Sequence, residues 1–304
     1  MSPRLFYTDH YILPLPAQHR FPIQKYRLTR DLLERDGLFQ FEAAPLAEIK
    51  TIELVHTPDY VQAFVNGMVS EAAMRKIGFP WSKGLVHRTL ASVGATLAAT
   101  REALAQGWGG TLAGGTHHAF AGEGSGFCVF NDIAVAARWL QVPEDSKVSR
   151  RVAIVDLDVH QGDGTADIFK GDASVLTVSV HCKANFPLRK QLSSIDVGLA
   201  SGARDEEYLR ALQSVLPRVW EFHPEFVFYQ SGVDGLASDR LGKLKLSHDG
   251  LKERDRMVMR GVRDLGVPFV ITLGGGYSDP ITLTAEAHAN TFRVAAEVWK
   301  CDTS

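Results

Sequence analysis

The feature that most constrains this chain is an alternation. Short, near-continuous runs of Val, Ile, Leu and Phe recur, and longer stretches with apolar residues at helical spacing lie between them. "RLFYT" (4–8), "TIELV" (51–55), "RVAIVDLD" (151–158), "VLTVSVH" (175–181), "EFVFYQSG" (225–232) and "PFVITLGGG" (268–276) read as strands. Helices are expected over 23–35, 57–67, 86–106, 131–141, 205–220, 249–264 and 280–299. Strands separated by helices pair in parallel, and strands that are apolar throughout are covered on both faces. The expected fold is α/β: an open, mostly parallel sheet with helices on both faces. No repeat, low-complexity linker or composition break divides the 304 residues, so one domain spanning 1–304 is expected. The stretch 182–204 is expected to be a long loop, and such loops in compact domains usually carry function.

Ligands of open parallel sheets bind beyond the carboxyl ends of the strands. Four clusters of polar residues or glycine fall where apolar runs stop: "GGTHHAF", "VDLDVHQGDG", "FYQSGVDGLASDRLG" and "ITLGGGYSDP". The second is the sharpest. Asp156, Asp158, His160 and Asp163 crowd into eight positions after a buried strand. Unpaired carboxylates at the edge of a core are costly and repel one another, so a cation is expected among them. Alternate residues of an extended chain share a side, which puts Asp156, Asp158 and His160 together. Asp158 and His160, with Asp234 from a later strand end, make a three-ligand set. Such a set leaves a position open, as catalytic zinc requires, and its carboxylates would also suit Fe(II) or Mn(II).

Several other chemistries are excluded. The six residues that would start a calcium loop end in Gln161, where that loop needs glycine. "GEGSG" (122–126) lacks the spacing of a phosphate loop, and neither HExxH nor G-x-S-x-G occurs. A net charge of −2 offers no broad basic field for nucleic acid. The segment "MSPRLFYTDHY" does not read as a secretory signal, and no apolar run is long enough to span a membrane. Cys128, Cys182 and Cys301 stand far apart with no CxxC, which fits free thiols in a reducing cytoplasm.

Five ordered motifs, "GGTHHAFAGEGSGFCVFNDIAVA" (114–136), "VDLDVHQGDGT" (155–165), "TVSVH" (177–181), "YQSGVDGLASDRLG" (229–242) and "LGGGY" (273–277), resemble the zinc-dependent histone deacetylase superfamily, whose fold is arginase-like. Gln161, following the ligand histidine, is similar to class IV and many bacterial members. The resemblance implies zinc ligands at Asp158, His160 and Asp234. It implies paired active-site histidines at His117 and His118, with carboxylate partners Asp156 and Asp163, and a carbonyl-binding tyrosine at Tyr277. Phe127 and Phe186 would wall an acyl-lysine tunnel, Leu241 would line it, and the Gly126 carbonyl would accept the substrate amide N–H. A structural potassium ion is implied at Asp156, Asp158, His160, Ser179 and Val180, held largely by backbone oxygens. Arg27 would serve an acetate exit channel, and "GFPWS" (78–82) would border the mouth. The implied activity is hydrolysis of acetyl- or acyl-lysine amides in proteins. Deacetylation of small amines such as acetylpolyamines, a catalytically inactive amide-binding module and a binuclear manganese ureohydrolase stand as alternatives.

Overall fold

Glycine and burial decide where this sheet runs. The computed structural model describes residues 3–11, 13–16, 18–142 and 150–300. Its strands are β1 (Arg4–Tyr7), β2 (Gln40–Ala43), β3 (Trp108–Thr111), β4 (Val152–Asp156), β5 (Val175–Cys182), β6 (Ile195–Leu199), β7 (Phe226–Gln230) and β8 (Phe269–Thr272). They form one sheet in the order β2-β1-β3-β8-β7-β4-β5-β6, and every pairing is parallel.

The helices are α1 (Gln24–Asp36), α2 (Ile49–Ile52), α3 (Pro58–Val65), α4 (Glu71–Ile77), α5 (Lys83–Gln106), α6 (Asp132–Gln141), α7 (Asp163–Ile168), α8 (Asp205–Glu221), α9 (His248–Leu265) and α10 (Thr282–Lys300). Both faces of the sheet are covered. Neighbouring residues of β3 point to opposite faces. A Cβ on Gly109 would strike the Ala99 carbonyl of α5, and one on Gly110 would lie 2.6 Å from Phe292 of α10. Only glycine lets both helices approach this closely.

The long helices end where side chains satisfy their free amides. Ser82 accepts from Leu85 N at 3.0 Å to start α5, and Ser247 accepts from Gly250 N at 2.9 Å to start α9. Gly107 and Gly266 close them in the left-handed conformation.

Two expectations are corrected. "TIELV" is not a strand: Ile52 N bonds to Glu48 O and Glu53 N to Ile49 O, forming a helical turn that buries Ile52 and leaves Leu54 exposed. The stretch 182–204 is not one loop, because β6 pairs with β5 from Val178↔Ile195 to Cys182↔Leu199. Five elements lacked a sequence signal. β2 is an exposed edge, β3 is half glycine, β6 alternates weakly, and α4 and α7 are short. Cys128 and Cys182 are buried free thiols, and Cys301 lies outside the described residues. Among the described residues, no helix is long and apolar enough to cross a membrane.

Candidate active site

The four polar clusters follow β3, β4, β7 and β8, which are consecutive neighbours in the sheet order β3-β8-β7-β4. They therefore meet on one rim. The turn after β3 carries His117 and His118. Its amides are tied down by Asp132, the first residue of α6: Gly115 N and Thr116 N donate to its carboxylate at 3.1 and 2.7 Å. Gly115 has φ +75°, and a Cβ there would lie 2.9 Å from Gly274 Cα, so two glycine turns pass backbone to backbone. Asp132 is fully buried. Sequence reasoning saw it only as a helix start, although the Asn-Asp pair of "FNDIAVA" was visible.

Each histidine is oriented by a carboxylate. His117 Nδ1 lies 2.6 Å from Asp156 Oδ2, and His118 Nδ1 lies 2.6 Å from Asp163 Oδ1. These bonds leave both Nε2 atoms for other partners. The two rings, 4.1 Å apart between centroids, have opposite acidities. Burial works against a charged His117, but the charges of Asp156 and Asp158 outweigh it and carry its pKa up to about 9. Burial and the neighbouring charge of His117 push His118 down to about 4. At neutral pH, His118 therefore has a free base nitrogen.

Beside them, Asp158, His160 and Asp234 form the group of candidate metal-holding side chains among the described residues; one ligand atom from each lies within 4.8 Å of the others. His160 Nδ1 faces Asp158 Oδ1 at 2.9 Å and Asp234 Oδ2 at 3.0 Å. Both carboxylates are almost fully buried. Burial and the charge of Asp158 push Asp234 up to about 7. Burial opposes a charged His160, yet the two carboxylates together raise it to about 10. One proton on His160 thus serves two buried carboxylates. Two oxygens and one imidazole nitrogen fit a divalent cation, which would take that proton's place.

Backbone donors hold the carboxylates in place: Gly275 N bonds to Asp158 Oδ2 at 2.7 Å, and Val159 N to Asp234 Oδ1 at 2.9 Å. Arg254 of α9 supports the ends of β4 and β7 from below. It is fully buried, pairs with Asp255, and donates to Gly232 O at 2.6 Å. Its role had no local sequence signal, because its partners are backbone carbonyls distant in the chain. For the implied potassium residues, pairing of β4 with β5 sets Asp156 opposite Ser179, with Val180 next along the strand.

A cavity of about 970 Å³ opens above this group. Phe127 and Phe186 line it, as do Gly126, Leu241 and Tyr277. Phe127 has φ +66°, uncommon for a bulky side chain. Its amide bonds to Ile77 O at 2.7 Å, and its ring is wedged among Phe21, Phe79 and Tyr277. Phe186 is less enclosed, with 43% of its surface exposed, and its ring stands edge-on to His118 at 4.9 Å. Tyr277 is held by its backbone: its N–H donates to Asp239 Oδ2 at 2.6 Å, and its carbonyl accepts from Arg240 Nε at 3.3 Å.

Two expected positions fall elsewhere. Arg27 points outward and pairs with Asp31 at 2.6 Å on the exposed face of α1, so it does not reach the cavity. Lys25 of that helix is fully buried instead, and its Nζ bonds to Gly274 O at 2.8 Å. In "GFPWS", Phe79 packs behind Phe127 and Trp81 Nε1 bonds to Phe64 O, so the segment braces the wall from outside.

A family profile described as "Histone deacetylase domain" matches residues 19–294. An uncharacterized protein of Picosynechococcus sp. is 44% identical over 96% of this chain and 98% of its own length. Histone deacetylase 2 of Arabidopsis thaliana is 32% identical over 90% of this chain and 74% of its own. Acetoin utilization protein AcuC of Bacillus subtilis is 30% identical over 86% of this chain and 73% of its own. Among solved structures, the HDAC homolog from Aquifex aeolicus superimposes with a TM-score of 0.79 over 97% of this chain and 84% of that one, at 24% identity, which establishes a shared fold.

Proposed function

The chain belongs to the histone deacetylase family, and from that premise we propose that it is a metal-dependent hydrolase that removes acetyl or other acyl groups from lysine side chains. The observation that carries this reading is the convergence of two His–Asp pairs and the Asp158–His160–Asp234 group at the floor of an aromatic-walled cavity. A Zn(II) or Fe(II) ion held by those three residues would polarise the amide carbonyl and acidify water.

The remaining steps belong to the chain's own groups. Phe127 and Phe186 exclude water from the alkyl stem, and the Gly126 carbonyl accepts the substrate amide N–H. His118 Nε2 takes a proton from the attacking water and delivers it to the amine as the C–N bond breaks. Asp163 fixes the tautomer that allows this. His117, kept charged by Asp156, steadies the negative charge that develops. The Tyr277 hydroxyl donates to the carbonyl oxygen as that oxygen becomes negative. A potassium ion held largely by backbone oxygens at Asp156, Asp158, His160, Ser179 and Val180 would stiffen the floor.

The test is direct. Metal-loaded protein should release acetate from acetyl-lysine peptides. Tyr277→Phe should lower kcat by about 10²–10³ with a much smaller change in KM. A single-turnover rate within about threefold of wild type, at equal metal content, would remove Tyr277 from the mechanism. An acetylated polyamine assayed alongside tests the small-amine alternative.

A further inference from the structure

The reaction does not account for the chemistry at the cavity mouth. Arg20, Arg189 and Lys243 line it, and all three are exposed. Arg240 lies in an adjoining groove of about 740 Å³ that shares Arg20, Leu241 and Tyr277 with the cavity. Among the described residues, none of these four cations has a carboxylate within ion-pair distance. The acid near the mouth, Glu123, is already taken by Lys76 at 2.6 Å. The other carboxylates lining the cavity, Asp158, Asp163 and Asp234, are at its floor and bound to histidines. Lys190, on the same loop as Arg189, is turned inward and bonds to the Asn185 carbonyl at 2.6 Å, holding the loop in shape. The mouth therefore carries an excess of positive charge on three separate chain segments, above a floor whose carboxylates are each hydrogen-bonded to a histidine.

A cleft lined by charges of one sign attracts ligands of the other sign and repels its own. A partly acetylated polyamine keeps free ammonium groups, and these would have to sit among the arginines. An acyl-lysine with Asp or Glu beside it would set carboxylates against them instead. Resting on the deacylase reading above, we propose that this rim selects acyl-lysines flanked by acidic side chains, with Arg20 and Arg189 as the specificity-determining residues. Flanking side chains lie within a Debye length of the rim, so the preference weakens as salt rises.

The experiment uses three acetyl-lysine peptides that differ only in their neighbours, Glu, Ala or Lys, together with an acetylated polyamine. Steady-state kcat/KM is measured at low and raised ionic strength, and binding of the labelled peptides is followed separately by fluorescence anisotropy. The Glu-flanked peptide should exceed the Lys-flanked one by about tenfold at low salt, with the gap shrinking as salt is added. The double variant Arg20→Glu, Arg189→Glu should reverse the order. Equal values for the three peptides, an order untouched by charge reversal, or a preference for the polyamine would each overturn the inference. If no peptide is hydrolysed but the Glu-flanked one still binds more tightly and reversal inverts this, the deacylase reading falls while the basic rim stands. Equal binding overturns the rim in either case.

Discussion

One methyl group at position 275 decides whether the two carboxylates of the proposed metal site can stay side by side. A Cβ on Gly275 would overlap Asp234 Oδ2 and lie 2.8 Å from Asp158 Oδ2. Its backbone does not require glycine's left-handed region, so alanine there stresses the site and not the turn. Gly275→Ala should leave a cooperative unfolding transition but strip the protein of bound metal after dialysis; stoichiometric zinc in the variant would show that Asp234 is not a ligand. At this scale the sequence was readable where the grouping of side chains follows spacing. Asp158 and His160 share a side because they alternate, and the resemblance placed His117, His118 and Tyr277 at strand ends that the structure brings together. Asp132 and Arg254 were not readable in that way, since what they hold is backbone that only the folded chain delivers to them.

Among the elements, α5 sets two effects against each other. Gly94 sits in its interior, where alanine is the better helix former by about 1 kcal/mol. A Cβ there would collide with the Pro45 carbonyl, and neighbouring backbone cannot step aside as a side chain can. Overpacking of this kind typically costs about 1–3 kcal/mol, so the clash wins. Gly94→Ala should lower unfolding free energy by up to about 2 kcal/mol, read as a lower denaturant midpoint with an unchanged slope; a raised midpoint would mean that the loop carrying Pro45 yields. The same contest explains which elements the sequence revealed. α5 is Ala-rich and periodic, so it was legible. "WGGT" has no strand signature because its glycines answer to α5 and α10, not to strand propensity. "TIELV" has β-branched residues, but burial of Ile52 on a single turn overrides them.

For the whole molecule, buried histidines set acid tolerance. Burial pushes His56, His118 and His181 each down to about 4, against 6.5 when unfolded. Between those values the unfolded chain binds protons that the folded chain refuses. The contribution of these three histidines is therefore full above pH 6.5 and falls as pH drops toward 4. His56 lies far from the floor of the cavity in the chain and accepts from Asn131 N at 2.9 Å, a bond that glutamine can replace. His56→Gln should shrink the loss of unfolding free energy between pH 7 and pH 5 by about 2 kcal/mol; an equal loss in both proteins would place the lability elsewhere. The parallel α/β architecture was legible from strand and helix alternation, but the sheet order was not, because nothing local says which strands are neighbours. That order has a consequence for a chain made from its N-terminus. β1, β2 and β3 form one flank, and β4, β5 and β6 the other, while β7 and β8 fill the gap between them. Until the ribosome has released residues beyond 272, the two flanks share no hydrogen-bonding edge. Asp158 and His160 emerge long before Asp234 and Tyr277 can join them, so the nascent chain carries half of the proposed metal site and two open sheet edges, and it closes both in one late step.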